Sequence, residues 1–170
     1  MSYRIVIPAR LASQRLPDKP LVQIGPASLV EHVYRRGRAS SAASVVIATD
    51  SPRIVEAAAA FGAQAVLTSA AHTSGSDRIA ECADLLGWPD DELVVNLQGD
   101  EPLMPPCCLD QVAQLLRDDV AADVASLFWH LQEWSEAKDP NVVKVDAGGI
   151  TELQDARIGE VAAAVIGGRR

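Results

Sequence analysis

The chain has 170 residues, 48% of them hydrophobic and 22% charged, with a formal net charge of −8. That length suits one domain with a proper core, and the composition is ordinary for a soluble globular protein. An acidic chain lacks the broad basic face of a general nucleic-acid or membrane-surface binder, and no apolar run reaches a bilayer-spanning length.

The opening MSYRIVIPAR has no long apolar core of a signal peptide, so the expected location is the cytoplasm. RIVIPA (4–9) reads as a buried strand. The segment PARLASQRLPDKPL (8–21) then gathers Arg10, Arg15 and Lys19 in a stretch too rich in proline and small residues for a regular helix. SLVEHVYRRGRAS (28–40) is an amphipathic helix with Ser28 as N-cap, and SVVIATD (44–50) a second strand. SPRIVEAAAAFG (51–62) follows as a helix, with Ser51 as cap, Pro52 in the first turn and Gly62 at the end. AQAVLT (63–68) is a short strand, SDRIAECADLLG (76–87) a helix, and ELVVNLQ (92–98) a strand whose continuous apolar run suits a central parallel position. A helix over 106–118, a strand over 120–128, a short helix near 132–138 and a strand at NVVKV (141–145) complete the pattern. This alternation predicts an α/β fold, an open and mostly parallel sheet with helices on both faces. Past residue 145 the chain offers a turn at Gly148–Gly149 and an Ala-rich helix, and little that resembles a sheet edge.

In open α/β sheets, ligands sit beyond the carboxyl ends of the strands, and the loop 8–21 lies at such an end. Three cations there can surround a polyphosphate, the arginines with planar donor forks and the lysine with a compact charge. Pro8, Pro17 and Pro20 stiffen the loop, which reduces the ordering that binding requires. Charge alone does not choose between this clamp and a solvated surface loop. QGDEP (98–102) follows a strand; Gly99 permits a tight turn, and Asp100 and Glu101 then emerge at the binding edge. A carboxylate opposite a polyphosphate is repulsive unless a cation lies between them, and Mg²⁺ is the natural bridge. The plain alternative is a solvated turn. HTSGSDR (72–78) has small residues that let backbone groups approach a planar base, with Ser76 or Asp77 as helix cap and Arg78 as an ion-pair partner. His72 and His130 have no partner nearby in sequence for a nucleophile pair. Trp88, Trp129 and Trp134 read as packing residues. Cys82, Cys107 and Cys108 are odd in number and without metal-ligand spacing, so they read as reduced thiols.

IPARLASQRLPDKPL, VVIATD (45–50), HTSGSDRIAE (72–81), VVNLQGDEPL (94–103) and DPNVVKV (139–145) together resemble blocks of a known family, in the same order and at similar intervals. The family is that of the cytidylyltransferases that activate acidic sugars, and in particular 3-deoxy-manno-octulosonate (Kdo) cytidylyltransferase. The resemblance implies a nucleotide-diphospho-sugar transferase-like, Rossmann-like fold. It also implies transfer of CMP from CTP to Kdo, with release of pyrophosphate, for lipopolysaccharide biosynthesis. Carried over residue by residue, it implies Arg10, Arg15 and Lys19 on the triphosphate, Ser74, Gly75 and Gln98 around the nucleoside, and Asp100 on Mg²⁺. Arg10, Lys19 and Asp100 form the implied catalytic set, with Asn141 and Lys144 near the acidic sugar. Ser76 stands where family members commonly carry Thr. A synthetase for another acidic sugar, such as sialic acid, and a CTP-binding chain without turnover are the alternatives.

The resemblance covers residues 1–145, read as the N-terminal portion of a nucleotidyltransferase-like α/β domain, with 146–170 as a divergent tail. The family's later segments are a Ser-Arg-Ala stretch, a dimerisation region and a further Asp that completes the metal site. They find no counterpart in that tail. The expectation is therefore that the C-terminal part of the family fold is missing, as a truncation or frameshift after residue 145 would leave it.

Overall fold

The structure, a computed structural model, describes residues 2–12 and 16–127, and the backbone of 164–167. In chain order its elements are β1 (Arg4–Ala9), a 3₁₀ turn at Lys19–Leu21, the two-residue strands β2 (Gln23–Ile24) and β3 (Ala27–Ser28), α1 (Leu29–Arg38), β4 (Ser44–Thr49) and α2 (Pro52–Ala60). They continue with β5 (Gln64–Leu67), α3 (Gly75–Leu85), β6 (Leu93–Asn96), α4 (Pro106–Asp118), β7 (Val124–Ser126) and β8 (Ala164–Gly167).

The main sheet has the order β5-β4-β1-β6-β8-β7. β5, β4, β1 and β6 run parallel, with Ile5 opposite both Val45 and Val95. From β1 the chain moves outward to β4 and β5, then returns to place β6 on the other side of β1. The strand order therefore reverses between β1 and β6, where open α/β sheets form a ligand crevice.

Both sheet faces are covered, which is why the parallel strands are apolar at consecutive positions rather than alternating ones. On one face Ile5, Ile7, Ile47 and Val95 pack with Val30 and Val33 of α1, Ile54 of α2, and Leu109 and Val112 of α4. On the other face Val6, Val46 and Val94 meet Ile79 and Cys82 of α3, with Trp88 packed against them. The expected helices on both faces are thus present, among the described residues three on one side and α3 on the other. Among the described residues, no helix is long and apolar enough to cross a membrane.

Local chemistry sets the element ends. Ser28 accepts the Glu31 backbone N–H and caps α1, while Arg35, Arg36 and Arg38 complement the helix dipole at the other end. Gly62 adopts φ +75° just past α2, a left-handed turn that a side chain would strain. α3 starts one residue earlier than its sequence pattern predicts, so its N-cap is Ser74 rather than Ser76 or Asp77. The Ser74 hydroxyl accepts the Asp77 N–H at 3.1 Å and donates to the Asp77 carboxylate at 2.7 Å. Among the described residues the strand expected over 120–128 spans 124–126, because Asp119 starts a turn that takes the N–H groups of Ala121 and Ala122.

A larger departure lies in the tail. Residues 164–167 are not part of an Ala-rich helix: they form β8, antiparallel to both β6 and β7. Two of the four residues, Val165 and Ile166, are β-branched, and the edge of β6 offers unpaired backbone groups for them to join. The predicted helix near 132–138, the strand at 141–145 and the turn at Gly148–Gly149 lie outside the described residues.

One polar cluster ties α1, β1 and α4 together at the end of the sheet opposite the crevice. Asp110 accepts hydrogen bonds from the Tyr3 hydroxyl at 2.7 Å and from the Ser41 backbone N–H at 2.9 Å and hydroxyl at 2.5 Å. Burial pushes the Asp110 carboxyl upward, but the bonds from Ser41 and Tyr3 and the Arg117 charge outweigh it and hold the carboxyl below its usual range. Tyr3 is pushed up to about 12, chiefly by burial. A carboxyl depressed in the folded state stabilises above its unfolded pKa, and that contribution disappears as pH falls through the lower folded value. Asp110→Ala is therefore expected to cost about 1–3 kcal/mol at pH 7, with the deficit shrinking below pH ~4, in urea melts at both pH values.

Candidate active site

Two loops meet at the point where strand order reverses. The first follows β1 and turns through Asp18, whose φ of 54° is left-handed, a conformation Asp tolerates better than most side chains. Arg53 on α2 pairs with the Asp18 carboxylate at 2.9 Å, and Pro20 is buried, so Lys19 stands on an anchored turn. The second loop follows β6. Leu97 extends the pairing through its N–H to the Val6 carbonyl at 3.1 Å, and the chain then turns through Gln98, Gly99 and Asp100. The far side of this turn is held by Arg36 of α1, whose Nε donates to the Pro102 carbonyl at 3.1 Å.

Gly99 is what lets the two loops touch. A Cβ built there would lie 2.8 Å from the Pro8 carbonyl oxygen, a backbone atom that cannot swing aside. The contact places Asp100 across from the loop cations, and Lys19 Nζ donates to Asp100 Oδ2 at 2.5 Å. The side chains are 38% and 51% exposed. A pair so exposed is worth little, so it yields readily to a competing anion and cation.

A cavity of about 770 Å³ lies between the loops, with Arg10, Leu16, Lys19, Gln98, Gly99 and Asp100 in its wall. A smaller one of about 110 Å³ adjoins it, bordered by Arg10, His72, Ser74, Gly75, Arg78 and Gln98. The two share Arg10 and Gln98. The sequence-derived site residues are thus gathered in one place: Lys19 and Asp100 in the large cavity, Ser74 and Gly75 in the small one, Arg10 and Gln98 between. Arg15, Asn141 and Lys144 lie outside the described residues.

Two features around the small cavity are additional. Arg78 is the ion-pair residue its motif suggests: Nη2 donates to Asp50 at 2.8 Å and Nη1 to the Thr68 hydroxyl at 2.6 Å, joining the ends of β4 and β5 to α3. His72, to which sequence distance gave no partner, lies 2.5 Å from Glu81 Oε2. The Ser69 backbone N–H, and after it His72, hold the Glu81 carboxyl below its ordinary range. The signal for this contact is helical phase, since Arg78 and Glu81 are one turn apart. The thiols stay out of the chemistry. Burial pushes Cys82 up to about 12, and burial followed by the neighbouring Cys107 raises Cys108 to about 11, so both are protonated at neutral pH.

The profile of a family described as Cytidylyltransferase matches residues 4–148. The chain is 54% identical over 145 residues to the 3-deoxy-manno-octulosonate cytidylyltransferase of Thioalkalivibrio sulfidiphilus, a match covering 85% of this chain and 58% of that protein. It is 50% identical over 147 residues to the protein of the same name from Cellvibrio japonicus, covering 86% of this chain and 58% of the relative. The chain therefore spans less than two thirds of the length of these curated relatives. Among solved structures, CMP:2-keto-3-deoxy-manno-octonic acid synthetase complexed with CTP superposes with a TM-score of 0.69 at 42% identity, over 74% of this chain and 52% of that one. A cytidylyltransferase from Leptospira borgpetersenii, 24% identical, shares the fold with a TM-score of 0.64 over 74% of this chain and 53% of its own.

The close approach at Gly99 and the exposed Lys19–Asp100 pair make opposite demands on stability. Gly99→Ala is expected to cost about 1–3 kcal/mol, because backbone must move to admit the methyl group. Lys19→Ala is expected to change stability by less than about 1 kcal/mol. Chemical denaturation of the two variants beside the parent chain checks both.

Proposed function

Because the chain belongs to the cytidylyltransferase family, we propose that it transfers CMP from CTP to 3-deoxy-D-manno-octulosonate, releasing pyrophosphate, for lipopolysaccharide biosynthesis in the cytoplasm. The observation that carries this reading is the crevice between β1 and β6, where the cations of one loop face the acidic turn of the other. An acidic chain that binds two anionic substrates needs local positive charge, and the loop after β1 supplies it.

In this reading Arg10, Arg15 and Lys19 hold the triphosphate, and Ser74, Gly75 and Gln98 border the nucleoside in the smaller cavity. The anomeric hydroxyl oxygen of Kdo forms a bond to the α-phosphorus, and its proton passes to water. The bond from that phosphorus to the bridging oxygen breaks, and pyrophosphate leaves with the electron pair. Transfer of this kind rests on alignment and charge neutralisation, so no protein nucleophile is needed. Arg10 and Lys19 offset the charge that builds on the departing pyrophosphate.

Asp100 is the only acid in the wall of the large cavity among the described residues. One carboxylate oxygen completed by phosphate oxygens and water is the least donor set that Mg²⁺ accepts, so Asp100 fits that ion as a single protein ligand. When bound, Mg²⁺ supplies polarisation of the phosphates and further neutralisation of their charge. In this reading Lys19, hydrogen-bonded to Asp100, exchanges the carboxylate for the phosphates when the nucleotide binds.

The test is pyrophosphate release from CTP with Kdo and Mg²⁺ present. Release is expected to require Kdo and to fall about 100-fold in Lys19→Ala, with a comparable loss in Arg15→Ala. Release that ignores Kdo, or that survives both substitutions, overturns the reading. Faster release with sialic acid than with Kdo reassigns the sugar, and CTP binding without any release leaves a binding protein only.

A further inference from the structure

The loop from β5 to α3 contributes Ser74 and Gly75 to the small cavity, yet most of its anchoring lies in residues without an assigned role. At its start the Thr68 hydroxyl donates to the Thr49 carbonyl at 3.1 Å and accepts from Arg78 at 2.6 Å. In its middle the Ser69 backbone N–H donates to Glu81 Oε2 at 2.7 Å, and His72 Nε2 reaches the same oxygen at 2.5 Å. At its end Ser74 caps α3. Ser74, Arg78 and Glu81 follow one another at spacings of four and three, so one face of α3 grips the loop along its whole course. Arg78 is buried and its role is to join strands to helix. Glu81 is the grip that acts on the ligand side, because His72 itself borders the cavity with Arg10, Gly75 and Gln98.

We propose that Glu81 is a positioning residue for the nucleotide: by holding His72 and the Ser69 backbone at one carboxylate oxygen, it keeps the loop in the shape that forms the nucleoside wall of the crevice. The inference rests on the CTP reading above. A carboxylate at Nε2 keeps a hydrogen on that nitrogen, which sets the ring's orientation and leaves Nδ1 as its other polar atom. A loop fixed in this way before binding needs no ordering when the ligand arrives, and that saving raises affinity without any contact from Glu81 to the ligand. The role predicts a division of effects. Losing the carboxylate weakens nucleotide binding, while an amide in its place, whose oxygen also accepts two hydrogen bonds, retains most of it.

Calorimetric titration of CTP into the full chain, with Mg²⁺ present, tests this with Glu81→Ala, Glu81→Gln, His72→Ala and the Glu81→Ala/His72→Ala pair. Glu81→Ala is expected to raise the Kd for CTP about tenfold while circular dichroism and the melting transition show a folded chain. Glu81→Gln is expected to recover most of that loss, and the double variant to bind little worse than His72→Ala. Where turnover is measurable, the Glu81→Ala change falls on KM for CTP and leaves kcat within about twofold. A Glu81→Ala chain that melts earlier but binds CTP as the parent does overturns the inference and leaves a structural link. Equal losses in the Ala and Gln variants overturn it as well, since charge rather than loop geometry would then be the cause. A parent chain that fails to bind CTP overturns the functional reading itself, and this inference with it.

Discussion

Pairing of β1 with β6 brings together two loops of opposite charge that are about 80 residues apart in sequence, Lys19 and Asp100 being separated by 81 positions. Everything at the site depends on this adjacency. Register is set by Ile5 against Val95 and continued by the Leu97 N–H on the Val6 carbonyl. The loops then separate only as far as the Pro8 carbonyl and Gly99 allow. A parallel pair cannot be joined by a tight turn, so the intervening helices and strands are what carry the chain back to β1 from the other side. The crevice is a by-product of that route.

The ion pairs around the crevice divide by burial. Arg78 and Asp50, 3% and 16% exposed, hold the ends of β4 and β5 to α3. Removing one member of such a pair strands a charge in the protein and costs about 3–5 kcal/mol. Lys19 and Asp100 face solvent, are screened by it, and contribute far less to the fold. The first pair is scaffold. The second costs little to separate, so its two groups are open to a competing anion and cation. Glu81 lies between these extremes: partly exposed, yet tied at one oxygen to two donors on a loop that borders the cavity.

Net charge and local charge act in different directions here. A body at −8 repels any anion at long range, so local attraction for one comes from a few cations such as those in the loop after β1. The chain concentrates them in one loop and stiffens that loop with prolines and the Arg53–Asp18 pair. Binding chemistry of this kind demands positioned cations rather than many of them.

Much of this was legible in the residues themselves. Runs such as RIVIPA and VVIAT, with Ser28 ahead of a helical pattern, specify strands and helices locally, because apolar period and capping chemistry are short-range properties; Ser51 sits at the N-cap of α2 but its side chain makes no cap bond. The cations of 8–21 and the acid of QGDEP are visible for the same reason: each is contiguous in the chain. Where local signals competed, the reading slipped. Serines at 74 and 76 are both able to cap α3, and the helix takes the earlier one. Val165 and Ile166 sit beside an alanine run that suggests helix, but the open edge of β6 draws them into a strand. The partner of His72 was invisible because sequence distance hides what helical phase brings together. The sequence by itself determined most element types, the parallel core of the sheet and the chemical character of each loop, since these follow from neighbours along the chain. Only the tertiary structure decided that Lys19 faces Asp100, that Gly99 must lack a side chain and that Glu81 holds His72. Those are contacts between segments whose order in space is set by packing both sheet faces at once.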